Sequence, residues 1–206
     1  KFIIYINLKV IIINKIIMEP DQVRAAYAHL AAGINGYLEQ KIRDGKLRRE
    51  DIPAEVFLVA IKNGGTLVAE QVAASYTTQF GANLPIAYID PTLWRDDVHT
   101  NLIVTAKGDP LILPNATYNV DGKHGIFIDS VVESARSFNA ARTGVDSFGR
   151  LASTGFAVLL DRPARQMPYH PDIAFQKDGA IPSDLVAKVV AEGSNHYMVL
   201  QQRQTN

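Results

Sequence analysis

Asp129, Ser130, Ser134, Arg136 and Ser137 fall within nine positions, directly behind the short apolar run Gly-Ile-Phe-Ile at 125–128. A carboxylate at the carboxyl end of a buried strand can grip hydroxyl groups. Small hydroxyl residues at a helix start can cap it while its first amides face an anion. Such a stretch suits an anionic ligand. The same residues also serve an ordinary strand-to-helix turn, so other stretches must decide.

Two more stretches have the same form. The run Val-Phe-Leu-Val-Ala-Ile at 56–61 leads into Lys62, Asn63, Gly64 and Gly65. Two glycines let a backbone approach a ligand closely, and Lys62 offers a point charge for a phosphate; a plain turn with a solvated lysine is the competing reading. The run Gly-Phe-Ala-Val-Leu-Leu at 155–160 ends at Asp161 and Arg162. If all three runs are parallel strands, Lys62, Asp129 and Arg162 stand at one end of one sheet, where open α/β sheets bind ligands.

The elements that must position these groups are legible as periodicities. Val23, Ala26, Tyr27, Leu30, Ile34 and Leu38 recur at helix spacing after Pro20-Asp21, with Gly33 and Gly36 weakening the pattern locally. A second helix is expected over 66–80, and further strands over 84–90, within 174–181 and over 197–200. The segment 101–123 reads as a hairpin or arm around Lys107-Gly-Asp-Pro110. Alternating strands and helices imply a mostly parallel sheet flanked by helices.

Composition narrows the function classes. The 206 residues carry no formal net charge and no cysteine, which argues against bulk attraction to nucleic acid or anionic membrane, and against disulfides, thiol nucleophiles and cysteine zinc sites. A reducing cytoplasm is the expected compartment. No HExxH spacing occurs among the five histidines, and Asp96, Asp97 and His99 read as polar loop residues. The charged segment 41–51 reads as a solvated face.

Residues 1–17 differ from the rest. They hold many Ile with Lys and Asn, and no Ala, Gly, Pro or Arg. All but Val10 have at least one codon built only of A and T, so a non-native or upstream-translated extension ending before Met18 is expected, with one domain over 18–206. Neither a membrane span nor a signal peptide fits the run.

Three separated motifs resemble the PyrR family, the pyrimidine-operon attenuators that are also uracil phosphoribosyltransferases of the type I phosphoribosyltransferase fold. They are Ile61 through Gly65, Ile89 through Asp97 with Trp94-Arg95-Asp96, and Ala157 through Arg162 followed by Arg165 and Pro168. The resemblance runs from about Met18 to the C-terminus. It implies a parallel core sheet with a hairpin arm and a small hood. It also implies phosphoribosyl transfer from phosphoribosyl pyrophosphate (PRPP) to uracil, Mg²⁺ when PRPP is bound, UMP or UTP as ligands, an RNA or protein partner, and a homodimer or higher assembly. By position, Lys62, Asn63, Gly64 and Gly65 match the pyrophosphate loop, and Asp129, Ser130, Ser134, Ala135, Arg136 and Ser137 the PRPP signature. Asp161 and Arg162 match the start of the base-side loop. Asp129 and Arg95 would be the catalytic pair, and Lys62, Arg95, Asp129, Ser134, Ser137 and Arg162 would line one cleft.

The chain departs from that family where the chemistry is done. Ser130 replaces the second acid that grips the ribose hydroxyls, Ala135 a loop glycine, and Gly64 an arginine that would reach the leaving group. Glu133 adds a negative charge that, at about 5 Å and an effective dielectric near 20, would repel each unit of phosphate charge by about 3 kcal/mol. These changes lead to the expectation of a nucleotide-sensing regulator with weak or absent catalysis, the alternative being an active uracil phosphoribosyltransferase. Restoring Ser130→Asp, Glu133→Tyr, Ala135→Gly and Gly64→Arg together is expected to recover donor binding.

Overall fold

A computed structural model of the chain describes residues 2–6, 9–13, 15–96, 111–115 and 117–203. The helix expected first is α1, Pro20–Arg43. Pro20 sits in its first turn, and Glu19 opens a capping box in which its backbone N–H donates to Gln22 Oε1 at 2.9 Å. Its apolar stripe, Val23 to Leu38, is fully buried. Gly33 has a packing reason: a Cβ there would stand 2.6 Å from Ile173 Cγ2.

The main sheet follows. After α2 (Ile52–Glu55) come β4 (Val56–Ile61), α3 (Gly65–Phe80) and β5 (Ile86–Ile89). Then come β6 (Leu111–Ile112), β7 (His124–Val132), α4 (Arg136–Asp146), β8 (Ser153–Asp161) and β9 (Ile173–Lys177). The spatial order is β6-β5-β4-β7-β8-β9, parallel throughout except for β6. This is the mostly parallel sheet expected.

Its strands are buried on both faces, as continuous apolar runs require. Val56, Leu58 and Ala60 join Ile126, Ile128, Ala157 and Leu159 under α1 and α3, while Phe57, Val59 and Ile61 join Phe127, Phe156 and Val158 under α4. These inward aromatics and aliphatics make the sheet the stabilising centre, at about 25 cal/mol per Å² of apolar surface removed from water.

A second, antiparallel sheet forms the hood: β10 (Leu185–Glu192), β11 (Asn195–Gln202) and β3 (Lys15–Met18), in the order β10-β11-β3. The strand β10 was not anticipated, because Lys188 interrupts it and most of its positions are only half-buried. The expected boundary at Met18 falls inside β3, which pairs Met18 with Met198 and Ile16 with Val199. Two more strands, β1 (Phe2–Ile6) and β2 (Lys9–Ile13), pair with each other. Of the expected arm, residues 101–110 lie outside the described residues; Ile112 and Leu111 pair with Tyr88 and Ile89 of β5. No helix among the described residues is long and apolar enough to cross a membrane.

Candidate functional site

The site forms where β4 and β7 end. β7 runs on past Ile128, its last residue paired with β4, and keeps pairing with β8 through Val131–Leu160 and Val132–Asp161. Asp129 and Ser130 are thus inside the strand rather than just beyond it, a correction to the expected boundary. The loop after β4 turns across the uncovered edge of β7. Lys62 N–H donates to Ile89 O at 2.8 Å, and Asn63 takes a left-handed φ of 75°. Asparagine tolerates that conformation better than most side chains. Gly65, the first residue of α3, lies so close to β7 that a Cβ would stand 2.0 Å from Ile128 O.

Asp129 is the carboxylate of the site. Its Oδ1 accepts from Ser130 N–H at 2.7 Å, and a Cβ on Gly64 would meet that same oxygen at 2.3 Å and Ser130 Oγ at 2.8 Å. Burial pushes its carboxyl up to about 7, against the opposing hydrogen bonds from the Ser130 and Val131 amides and the Ser130 hydroxyl. Part of its surface still opens into a cavity of about 210 Å³, shared with Ser134, Ala135, Ser137, Phe138 and Arg162. That volume lies below the roughly 300 Å³ at which ligand pockets usually begin.

Beyond β7 the chain makes the anion loop. Ala135 occupies the N-cap of α4 at φ 64°, ψ 12°, the left-handed region where glycine is free and alanine costs roughly 1–2 kcal/mol. The position is one that a glycine would suit, as the departure from the family pattern anticipated. No side chain caps the helix in the usual way; Arg136 N–H is 3.3 Å from Ser134 Oγ. The first-turn amides of α4 and the Ser134 and Ser137 hydroxyls therefore converge on one place suited to an anion. Arg95 reaches it from the segment after β5, with Nη1 3.5 Å from Ser137 Oγ. That segment is seated by Trp94, whose ring lies where a Cβ on Gly144 of α4 would stand at 2.9 Å.

Glu133 behaves differently from the expectation of bare repulsion. Its carboxylate accepts from Arg162 Nη1 at 3.1 Å and from Arg203 Nη2 at 2.9 and 3.0 Å, so its charge is met by two guanidiniums. Arg162 lines the cavity but is nearly all engaged: it also donates to the carbonyls of Leu185, Ile181 and Pro182, each at 3.0 Å. Asp161 ends β8 and pairs with Arg165, whose Nη1 donates to Glu133 O at 2.7 Å; neither Asp161 nor Arg165 lines the cavity. Arg136 turns from the loop toward Asp96 at 2.5 Å and Gln166 Oε1 at 2.7 Å.

Of the six residues expected in one cleft, Asp129, Ser134, Ser137 and Arg162 line the cavity and Arg95 touches its wall through Ser137. Lys62 stands at the same sheet end without lining it; its charge adds to the hydrogen bonds from Thr92, foremost its hydroxyl, that hold the Asp90 carboxyl below its ordinary value. Asp97 and His99 lie outside the described residues, and no cluster of three metal-ligating side chains occurs among the described ones. Asp129, with Oδ1 already accepting from the Ser130 amide, is a single carboxylate where a hard cation needs several ionised oxygens. The described residues do not fit a Mg²⁺ seat of the protein's own. Missed by sequence reasoning were Val186 and Ala187 of β10, which close the cavity, and Arg203.

The phosphoribosyl transferase domain model matches residues 22–181. The chain is 28% identical to the bifunctional protein PyrR of Chloroflexus aurantiacus over 177 residues, 86% of this chain and 87% of that protein. It is 30% identical over 139 residues to bifunctional protein PyrR 1 of Lactiplantibacillus plantarum, 67% of this chain and 76% of that one. Among solved structures it is similar to a hypoxanthine phosphoribosyltransferase of Trypanosoma cruzi, with a TM-score of 0.61 at 17% identity over 92% of each chain.

Proposed function

The chain belongs to the PyrR family of type I phosphoribosyltransferase-fold proteins, and on that premise we propose that it is a nucleotide-sensing regulator of pyrimidine metabolism with weak or absent catalysis. The observation that carries the reading is the asymmetry between the two loops. The Ser134–Ser137 side keeps hydroxyls, helix amides and Arg95 around an anion seat. At the loop that would hold a leaving diphosphate, Gly64 contributes no side chain and is pressed against Asp129. A nucleoside monophosphate asks only for the first. A PRPP donor asks for both, together with an acid where Ser130 stands.

The residues act as follows in this reading. Ser134, Ser137 and the α4 amides hold the 5′-phosphate, Asp129 accepts a ribose hydroxyl, and the hood strand β10 covers the sugar. UMP is the ligand best matched, with UTP and PRPP weaker. An RNA or protein partner reads the nucleotide state, the assembly is a homodimer or larger, and the compartment is the cytoplasm. Ligand-dependent shifts in melting temperature test this directly, since stabilisation follows RT ln(1 + [L]/Kd). UMP should stabilise more than PRPP with Mg²⁺ at equal concentration, and the reverse order overturns the reading.

One observation favours the alternative of an active uracil phosphoribosyltransferase. A carboxyl raised to about 7 beside an anion loop is poised to exchange a proton near neutrality. Uracil-dependent release of diphosphate would decide for it.

A further inference from the structure

Three arginines converge on one loop residue. Arg165 holds the Glu133 carbonyl, and Arg162 and Arg203 hold its carboxylate. With Asp161 bound to Arg165, the cluster sets three guanidiniums against two carboxylates and so carries one surplus positive charge beside the anion seat. The members differ in freedom. Arg162 is buried at 4% exposure and locked by the carbonyls of Ile181, Pro182 and Leu185, whereas the Arg203 side chain is 44% exposed.

Arg203 is carried by the hood. Its N–H donates to Asp184 O at 2.7 Å and its Nε to Ser183 O at 2.9 Å, so it stands where β11 ends and β10 begins. From there it reaches the residue immediately before Ser134. Without it, Glu133 would keep only Arg162 as a counter-charge and would face an incoming phosphate with part of its charge uncompensated.

We propose that Arg203 is a positioning residue: it ties the hood to the anion loop and neutralises Glu133, and thereby sets the affinity of the Ser134–Ser137 seat for a phosphate monoester. The proposal rests on the reading of that loop as a phosphate seat. It predicts a sign that simple loss of structure does not produce, because removing the Glu133 charge should repair the loss of Arg203.

The test is calorimetric titration of the full chain with UMP and with inorganic phosphate. Arg203→Ala should weaken both by about tenfold, Arg203→Lys by threefold or less, and the double variant Arg203→Ala/Glu133→Gln should return to within about threefold of the parent. Full affinity in Arg203→Ala overturns the proposal, as does a double variant no tighter than Arg203→Ala. If Arg203→Ala does not fold, Arg203→Glu with Glu133→Arg is the deciding pair: recovered affinity in the swap supports the tie, and its absence refutes it. A parent protein that binds neither UMP nor phosphate overturns the phosphate-seat reading itself, and the proposal with it.

Discussion

Gly64 lies directly beneath the carboxylate of Asp129, so that a methyl group on its α-carbon would stand 2.3 Å from Oδ1. Carbon and oxygen cannot approach so closely, and Ser130 Oγ is crowded too, 2.8 Å from the same point. Gly64→Ala is expected to destabilise the domain by roughly 1–3 kcal/mol, the usual cost of overpacking, read as a lower urea midpoint at unchanged slope. Gly64→Arg should do the same and fail to restore a pyrophosphate contact. This narrows the four-position repair anticipated from the sequence: an arginine at 64 would compete for space that Asp129 already occupies.

Asp129 makes stability depend on pH in a definite direction. Its folded pKa of about 7 lies above the ordinary aspartate value of 3.8, so between those values the folded chain holds a proton that the unfolded chain has lost. Stability from this group is present below about pH 4 and declines as pH rises to about 7. Three pKa units set a ceiling of about 4 kcal/mol, and water reaching the carboxyl through the cavity lowers it to roughly half. Asp129→Asn should flatten the slope between pH 4 and 7 and raise stability at pH 8. A slope unchanged by the substitution would show that the carboxyl is not held in its neutral form.

Much of this was readable in order along the chain. Short apolar runs rich in β-branched and aromatic residues and bounded by turn signals read as strands covered on both faces, so β4, β7 and β8 and the loops behind them followed from residue type. The pairing of Glu133 with Arg203 was not readable. Seventy residues separate them, and nothing in local spacing tells a carboxylate that its counter-charge will arrive from the last turn of a hood. The break in composition at Met18 concealed β3 for a related reason: a strand is defined by its partner, here Val199, and not by the origin of its residues.

That strand gives a prediction of its own. Ile17 packs against the main core and Ile16 against Val190 and Val199 of the hood. Removing residues 1–17 should cost about 2 kcal/mol, roughly 1 for each half-buried isoleucine, and should leave the edge of β11 open to pairing with other chains. Removal of residues 1–14, which keeps β3 whole, is the control. Equal stability and equal solubility of the two shortened proteins would show that β3 contributes nothing.

Catalysis is the most exposed expectation, and the structure changes its size. Glu133 no longer counts among the losses, because Arg162 and Arg203 meet its charge. Three remain: the acid absent at Ser130, the donor absent at Gly64, and the crowded left-handed position of Ala135. At about 1.5 kcal/mol each they would total about 4.5 kcal/mol, or roughly three powers of ten in kcat/KM, if neighbouring effects added. Ala135→Gly should be close to neutral for stability: relief of roughly 1–2 kcal/mol of strain is offset by the freer unfolded chain and by a buried methyl worth about 0.8. Its gain should show in ligand affinity instead. Ser130→Asp with Ala135→Gly, leaving Gly64 untouched, is therefore the informative repair, and it should raise PRPP affinity before any turnover becomes measurable. Conversion of labelled uracil to UMP, with release of diphosphate from PRPP, by the unaltered chain at a rate within tenfold of an ordinary uracil phosphoribosyltransferase would sink the weak-catalysis reading, and would mean that Asp129, Ser134 and Ser137 hold the donor without the missing groups.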